Sequence, residues 1–115
     1  MKRGDVYIAD LVPRSGSEQT GRRPVIVVSH DGFNQNPAWR SIIVVPVSSS
    51  PTQAKRGPTV VPLPKGAGGL QKASAAIGHQ VTTLDRGKLT RRVGMLPPLL
   101  TTQLDEALKN ALSLI

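Results

Sequence analysis

The apolar positions of this chain fall into short runs broken by Gly, Pro and polar residues, and the runs have two periods. Asp5-Val6-Tyr7-Ile8-Ala9-Asp10-Leu11 alternates imperfectly and is rich in strand formers, so it predicts a first strand, closed by Val12-Pro13. Pro24 to Ser29 carries the unbroken run Val25-Ile26-Val27-Val28 and predicts a second strand buried on both faces. Ser41-Ile42-Ile43-Val44-Val45-Pro46-Val47 predicts a third, with Pro46 marking an edge or a bulge near its end. Thr59 to Leu63, the small-residue run Ser74 to Val81, and Arg91 to Leu96 predict three further short strands. After Pro97-Pro98 the period changes. Leu100, Leu104, Leu108, Ala111, Leu112 and Ile115 recur at helical spacing, and a proline in the first turn suits a helix that runs to the last residue. Short strands, long loops and one terminal helix predict a single, mainly β domain over residues 1–115, a small barrel with a helical appendage.

The breaks between the runs are polar. A long loop covers residues 12–22, a turn-rich excursion covers His30 to Pro37, and Ser48-Ser49-Ser50-Pro51 opens another loop that carries Lys55-Arg56-Gly57. Pro64-Lys65-Gly66-Ala67-Gly68-Gly69 predicts a flexible connection. It is no phosphate-cradling P-loop, because the Lys-Ser/Thr pair that should follow is missing.

Charge narrows the partners. Fifteen Lys and Arg against seven Asp and Glu give a formal charge of +8, and such a small basic chain favours polyanions, of which nucleic acid is the commonest. A membrane surface or an acidic protein would satisfy the same charge. There is no cysteine, which excludes disulfides and thiolate chemistry, and the two histidines, His30 and His79, lie far apart. The acidic residues are scattered, so no metal-ligand cluster is legible and the expected chemistry needs no metal or other cofactor. The Met-Lys-Arg-Gly-Asp start lacks the apolar segment of a secretory signal, and no apolar run spans a membrane; the expected location is the cytoplasm.

The stretch with most chemistry is Gly16-Ser17-Glu18-Gln19-Thr20-Gly21-Arg22-Arg23-Pro24, a polar loop running straight into the second strand. A planar guanidinium matches a phosphate well, and Pro24 holds the backbone of Arg23 extended, which aims its side chain one way. Ser48 and Ser49 end the third strand, where a hydroxyl can donate to a phosphate oxygen. Glu18 is either a base, a nucleobase contact or a turn residue; Gln19 and Gln80 carry amides able to read nucleobase edges. Thr20, Arg22, Lys55 and Arg56, with Arg91 and Arg92, are candidates for RNA contacts, although each alone also suits a solvated charge or loop residue. Phe33 and Trp39 lie in a loop, where they either stack bases or cover the core.

Four segments resemble a known family in their order along the chain. They are Lys2-Arg3-Gly4-Asp5-Val6-Tyr7, Gly16 to Ser29, Ile43-Val44-Val45-Pro46-Val47-Ser48-Ser49, and Gly78-His79-Gln80-Val81-Thr82-Thr83-Leu84-Asp85. They are similar to the MazF/PemK (Kid-type) toxins of toxin–antitoxin pairs. The resemblance implies an SH3-like barrel, a homodimer, and a metal-independent endoribonuclease that cuts single-stranded RNA and is silenced by a cognate antitoxin. By motif match the functional arginine falls on Arg23 and the strand-end hydroxyl on Ser48, where many relatives have threonine. Glu18 and Gln19 match the loop bordering the RNA groove. The chain departs from relatives at His79, where an acidic residue is common, and at Thr82, where some have arginine.

Metal-free cleavage of RNA uses the neighbouring 2′-hydroxyl as nucleophile, and the site must then move two protons and stabilise charge on phosphorus. Arg23 suits the last task and is too strong a cation to serve as base. Glu18, His79 or a water held by either are the base candidates. Two rival functions remain at this level: a toxin of the same fold that poisons DNA gyrase without chemistry, and an inactive RNA-binding relative.

Overall fold

The computed structural model describes residues 1–11, 21–50 and 57–114. Seven antiparallel strands form the sheet: β1 (Asp5–Leu11), β2 (Gly21–Val27), β3 (Ser41–Ser48), β4 (Val60–Leu63), β5 (Ser74–Ile77), β6 (Thr82–Asp85) and β7 (Leu89–Met95). A short helix, α1 (Asp31–Asn34), sits between β2 and β3, and α2 (Pro98–Leu112) follows β7. The class is mainly β with a C-terminal helix, as expected. Closure is not: the strands run in the order β4-β5-β3-β2-β1-β7, with β6 also on β3, and among the described residues no pairing joins the two ends into a barrel.

The centre of the sheet is β3, and it has three partners. Residues Val44 to Pro46 pair with β2, Ser41 to Val44 pair with β6, and Val47 and Ser48 pair with β5. Pro46 therefore lies in the middle of the sheet, not at an edge. It stands where β3 changes from β6 to β5, a position at which a missing N–H disturbs little. The other strand proline of note, Pro62, is exposed on the four-residue edge strand β4.

Alternation along β2 and β3 feeds two cores. Val6, Ile26, Val45, Val47 and Ala76 project to one face and pack with Leu96, Leu104 and Ala107, the last two from α2. Ala9, Val25, Val27, Ile42, Val44 and Leu89 project to the other, where Leu84 joins them. Contributions from β6 and β7, the outer strands on either side, to one cluster mean that the sheet curls around it. Double-sided burial explains why β2 and β3 read as continuous apolar runs despite being antiparallel. In α2, Leu104 and Ala107 are buried while Leu112 is exposed; the helix stops at Ser113, whose left-handed φ of 57° ends it. Ile115, counted on the helix's apolar face from sequence, lies outside the described residues.

The basic start of the chain is structural. Arg3 donates to the Val28 carbonyl at 3.0 Å and to Asp105 of α2 at 2.7 Å, while its backbone N–H donates to Asp31 at 2.6 Å. One residue thus ties the N-terminus to α2 and to the excursion after β2. Arg86 fixes that excursion from the other side by donating to the carbonyls of Phe33, Asn34, Asn36 and Trp39. Phe33 and Trp39 stack on each other with ring centres 4.5 Å apart, both remaining partly exposed.

The segment expected to be a flexible connection is fixed. Ala67–Gly69 forms a 3-10 turn whose Gly68 is buried against β7. A Cβ on Gly94 would collide with the Gly68 carbonyl, and one on Gly69 would lie 2.5 Å from the Val93 carbonyl oxygen. Only glycine lets these two backbones touch. The small-residue run is also shorter than its sequence predicts. Strand β5 ends at Ile77, and Gly78–Gln80 is a 3-10 turn, because Gly78 presses against the Thr59 carbonyl and Ala107. Strand β6 was absent from the pattern-based expectation, and β7 starts at Leu89 rather than Arg91. No described helix is long and apolar enough to cross a membrane.

Two outcomes follow from these contacts. Gly94→Ala should lower stability by about 1–3 kcal/mol, read from urea denaturation, because the added methyl overpacks a backbone contact; an unchanged midpoint would contradict the close approach. Asp31, which accepts from the Arg3 amide and Asn34, and Asp85, which accepts from Arg40 and the Gly87 amide, both ionise below the ordinary carboxylate value. A carboxyl of this kind stabilises the fold at pH above its unfolded value near 3.8, and that contribution disappears as pH falls through the lowered folded value. The thermal midpoint should therefore drop on acidification below about pH 4, and less steeply in Asp31→Asn.

Candidate phosphate-binding cleft

The ladder between β2 and β3 stops at Val25 opposite Pro46. Beyond that point both strands continue with other partners. Strand β2 runs back to Gly21 along β1, and β3 runs on to Ser48 along β5. The two strands part, and Pro24, with no N–H to offer, sits at the fork. Arg23 and Ser48 lie two residues beyond that last pair, one on each of the diverging strands.

A cleft of about 400 Å³ opens there. Arg23 and Pro24 line it from β2, Ile8 from β1, Val47 and Ser49 from β3, and Ser74 from β5. Arg91, Arg92 and Val93 of β7 and the segment Gly69-Leu70-Gln71-Lys72 complete it. The floor is apolar and the rim carries four cations, two hydroxyls and an amide. No carboxylate or imidazole lines it, so among the described residues nothing in the cleft suits a divalent metal ion. Arg92 on this rim is matched to a carboxylate. It donates to Asp5 at 3.2 Å, and Asp5, only 3% exposed, also accepts from the Lys2 amide at 2.9 Å. The Asp of the Arg-Gly-Asp opening thus braces the cleft wall from behind.

The sequence candidates distribute unevenly. Arg23 is exposed and lines the cleft. Ser49 lines it as well. Ser48 is only 7% exposed and is not part of the lining; its Oγ accepts from the Ser50 amide at 3.1 Å, which leaves the hydroxyl proton available to donate. Arg22 faces away from this group, in an ion pair with Asp10 at 3.7 Å and within 3.5 Å of the Thr90 hydroxyl. His79 is not on a strand and not in the cleft. It sits on the turn after β5, at the end opposite Ser74, with its Nδ1 2.7 Å from the Thr59 hydroxyl. Gln80 occupies the same turn and is half-buried. Glu18, Gln19, Thr20, Lys55 and Arg56 lie outside the described residues.

Lys72 and Gln71 were not singled out from the sequence. They follow a glycine-rich turn with no periodic pattern, and only the fold of that turn against β7 carries them to the cleft. Arg91 and Arg92 were visible as a basic pair, but nothing local distinguished them from solvated charges.

Known proteins resemble this chain over nearly its whole length. The family described as PemK-like, MazF-like toxin of type II toxin–antitoxin system matches residues 2–112. Endoribonuclease EndoA of Bacillus subtilis (strain 168) is 36% identical over 115 residues, covering 100% of this chain and 97% of the relative. Endoribonuclease MazF of Staphylococcus epidermidis is 36% identical over 114 residues, covering 99% and 92%. Among solved structures, the Mycobacterium tuberculosis toxin MazF-mt6 superposes with a TM-score of 0.76 at 25% identity, covering 96% of this chain and 98% of that one. An endoribonuclease solved in complex with its cognate antitoxin, from a mycobacterial species, gives 0.79 at 24% identity over 100% and 97% of the two chains. A chain matched over nearly its whole length by profile, sequence and fold is one of this group: it belongs to the PemK-like, MazF-like family of type II toxin–antitoxin toxins.

Proposed function

We propose that this chain, an endoribonuclease toxin of its family, cuts single-stranded RNA at the fork between β2 and β3, by attack of a 2′-hydroxyl on the adjacent phosphorus. The observation that supports this is the cleft at the fork, whose cationic rim carries Arg23 from β2 and Ser49 from the end of β3.

The attacking oxygen forms its bond to phosphorus as the 5′ oxygen leaves, producing a 2′,3′-cyclic phosphate and a 5′-hydroxyl end. Charge builds on the non-bridging oxygens during this step. Arg23 offers a fork of donors to those oxygens, and a fixed cation in a partly dry cleft stabilises developing charge better than mobile water does. Ser49, by its place in the lining, and Ser48, the residue before it at the end of β3, supply hydroxyl donors. The base that takes the 2′ proton is Glu18 or a water it holds, and the departing 5′ oxygen takes its proton from solvent water. His79 is a poor candidate, since it is bound to Thr59 away from the cleft. Unpaired RNA is the expected substrate because a duplex cannot easily adopt the in-line geometry, and with it the expected reaction needs no metal ion.

The functional unit is a homodimer, a proposal supported by the exposed Met95, Leu99, Leu112 and Leu114 at the two ends of α2. The regulator is a cognate antitoxin whose acidic segment covers the basic cleft. The mycobacterial relative solved with its antitoxin supports such a partner, as does the +8 charge of this chain.

Purified protein mixed with single-stranded RNA of mixed sequence in EDTA should release fragments ending in cyclic phosphate. Arg23→Ala should lower the rate about 10²- to 10³-fold with an unchanged fold by circular dichroism. Ser48→Ala should lower it about 10- to 100-fold, the worth of one donor to a charged group. RNA left intact by the wild type, or cut as fast by Arg23→Ala, would refute the proposal.

A further inference from the structure

Resting on that ribonuclease reading, we propose that Arg91 and Lys72 form a second phosphate subsite, which holds the backbone phosphate next to the one that Arg23 faces. Among the described residues, the other arginines of known surroundings are already committed. Arg3 and Arg40 pair with Asp105 and Asp85, Arg22 with Asp10, Arg92 with Asp5, and Arg86 spends its donors on carbonyls. Arg91 makes no side-chain hydrogen bond or ion pair among the described residues, and neither does Lys72, yet both line the cleft.

Their placement matches two phosphates better than one. Ile8 on β1 has Pro24 opposite it on one side and Arg91 on the other. Arg91 and the residue after Arg23 are thus two strand spacings apart, about 10 Å. Side chains of this length, rising from two strands that flank a third, reach successive charges along a chain rather than crowd one anion. Lys72 follows a turn that lies on β7 through the contact of Gly68 with Gly94, so its starting point is fixed while the residue stays exposed. Arg91 precedes Arg92, whose charge Asp5 already matches, and has no such carboxylate of its own among the described residues. An anion in the cleft supplies the missing counter-charge. Loss of Arg91 should therefore leave stability unchanged while weakening the hold on RNA, which a purely structural arginine would not do.

The test uses the full chain and a single-stranded RNA oligonucleotide that contains a mapped cut site, with 2′-deoxyribose at the attacking position so that it binds without being cut. Each phosphate contact to a single strand contributes about 0.7 to the slope of log affinity against log salt. Arg91→Ala and Lys72→Ala should each lower that slope by about 0.7, the double variant by about 1.4, and Arg91→Lys should keep it. Methylphosphonates, placed one linkage at a time, should weaken wild-type binding at a linkage next to the cut and leave the double variant indifferent there. On cleavable RNA, KM should rise with kcat little changed. Equal slopes and equal methylphosphonate penalties in the wild type and double variant, with the wild type still cutting, would overturn the subsite alone. A double variant that keeps RNA binding but loses a polyglutamate peptide would also overturn it, assigning these cations to an acidic protein segment. A wild type that neither binds nor cuts RNA would defeat the functional reading, and the subsite with it.

Discussion

The parting of two strands governs this molecule. Strand β3 cannot keep β2 as a neighbour over its whole length, because its last residues pair with β5 while the first residues of β2 stay with β1. A sheet that kept every ladder intact would have no opening. Here the ladder is given up over a few residues at the two strand ends, and the backbone groups freed there border a concavity. Among the described residues, those that line the cleft stand on the diverging ends, on neighbouring strands or on the turn that lies on β7.

Rigidity around the gap comes from contacts that carry no chemistry themselves. Asp5 is buried and holds Arg92 on one wall. Gly68, Gly69 and Gly94 let the turn before Lys72 lie directly on β7. Arg3 and Arg86 pin the chain's beginning and its excursion, far from the cleft, through carbonyls and carboxylates. Arg3, Arg86 and Arg92 of this strongly basic chain are therefore fold-building, and net charge alone overstates how much of it is available to a ligand.

The apolar pattern revealed the strands that build the core and the terminal helix, since Val25 to Val28, Ile42 to Val47 and the Leu100-Leu104 stripe each repeat at the period of their element. It missed β6, whose Thr82 to Asp85 alternate only between half-buried and exposed positions. It extended β5 to Val81 because nothing local marks Gly78 as the place where another backbone approaches. At the cleft, Arg23 was legible because Pro24 and an apolar strand follow it. Ser48 was legible by position, but its low exposure was not. Lys72 was invisible, because its role depends on where a glycine turn lands.

The outer strand on one side of the sheet has a consequence for assembly. Strand β4 has four residues and carries Pro62, exposed, in its interior. An incoming polypeptide that tried to prolong the sheet there would find a ring where it needs a donor. That rim resists stacking of sheets into fibrils, and a protein that engages the toxin on this side must lie across a face or fill a groove instead of adding a seam to β4.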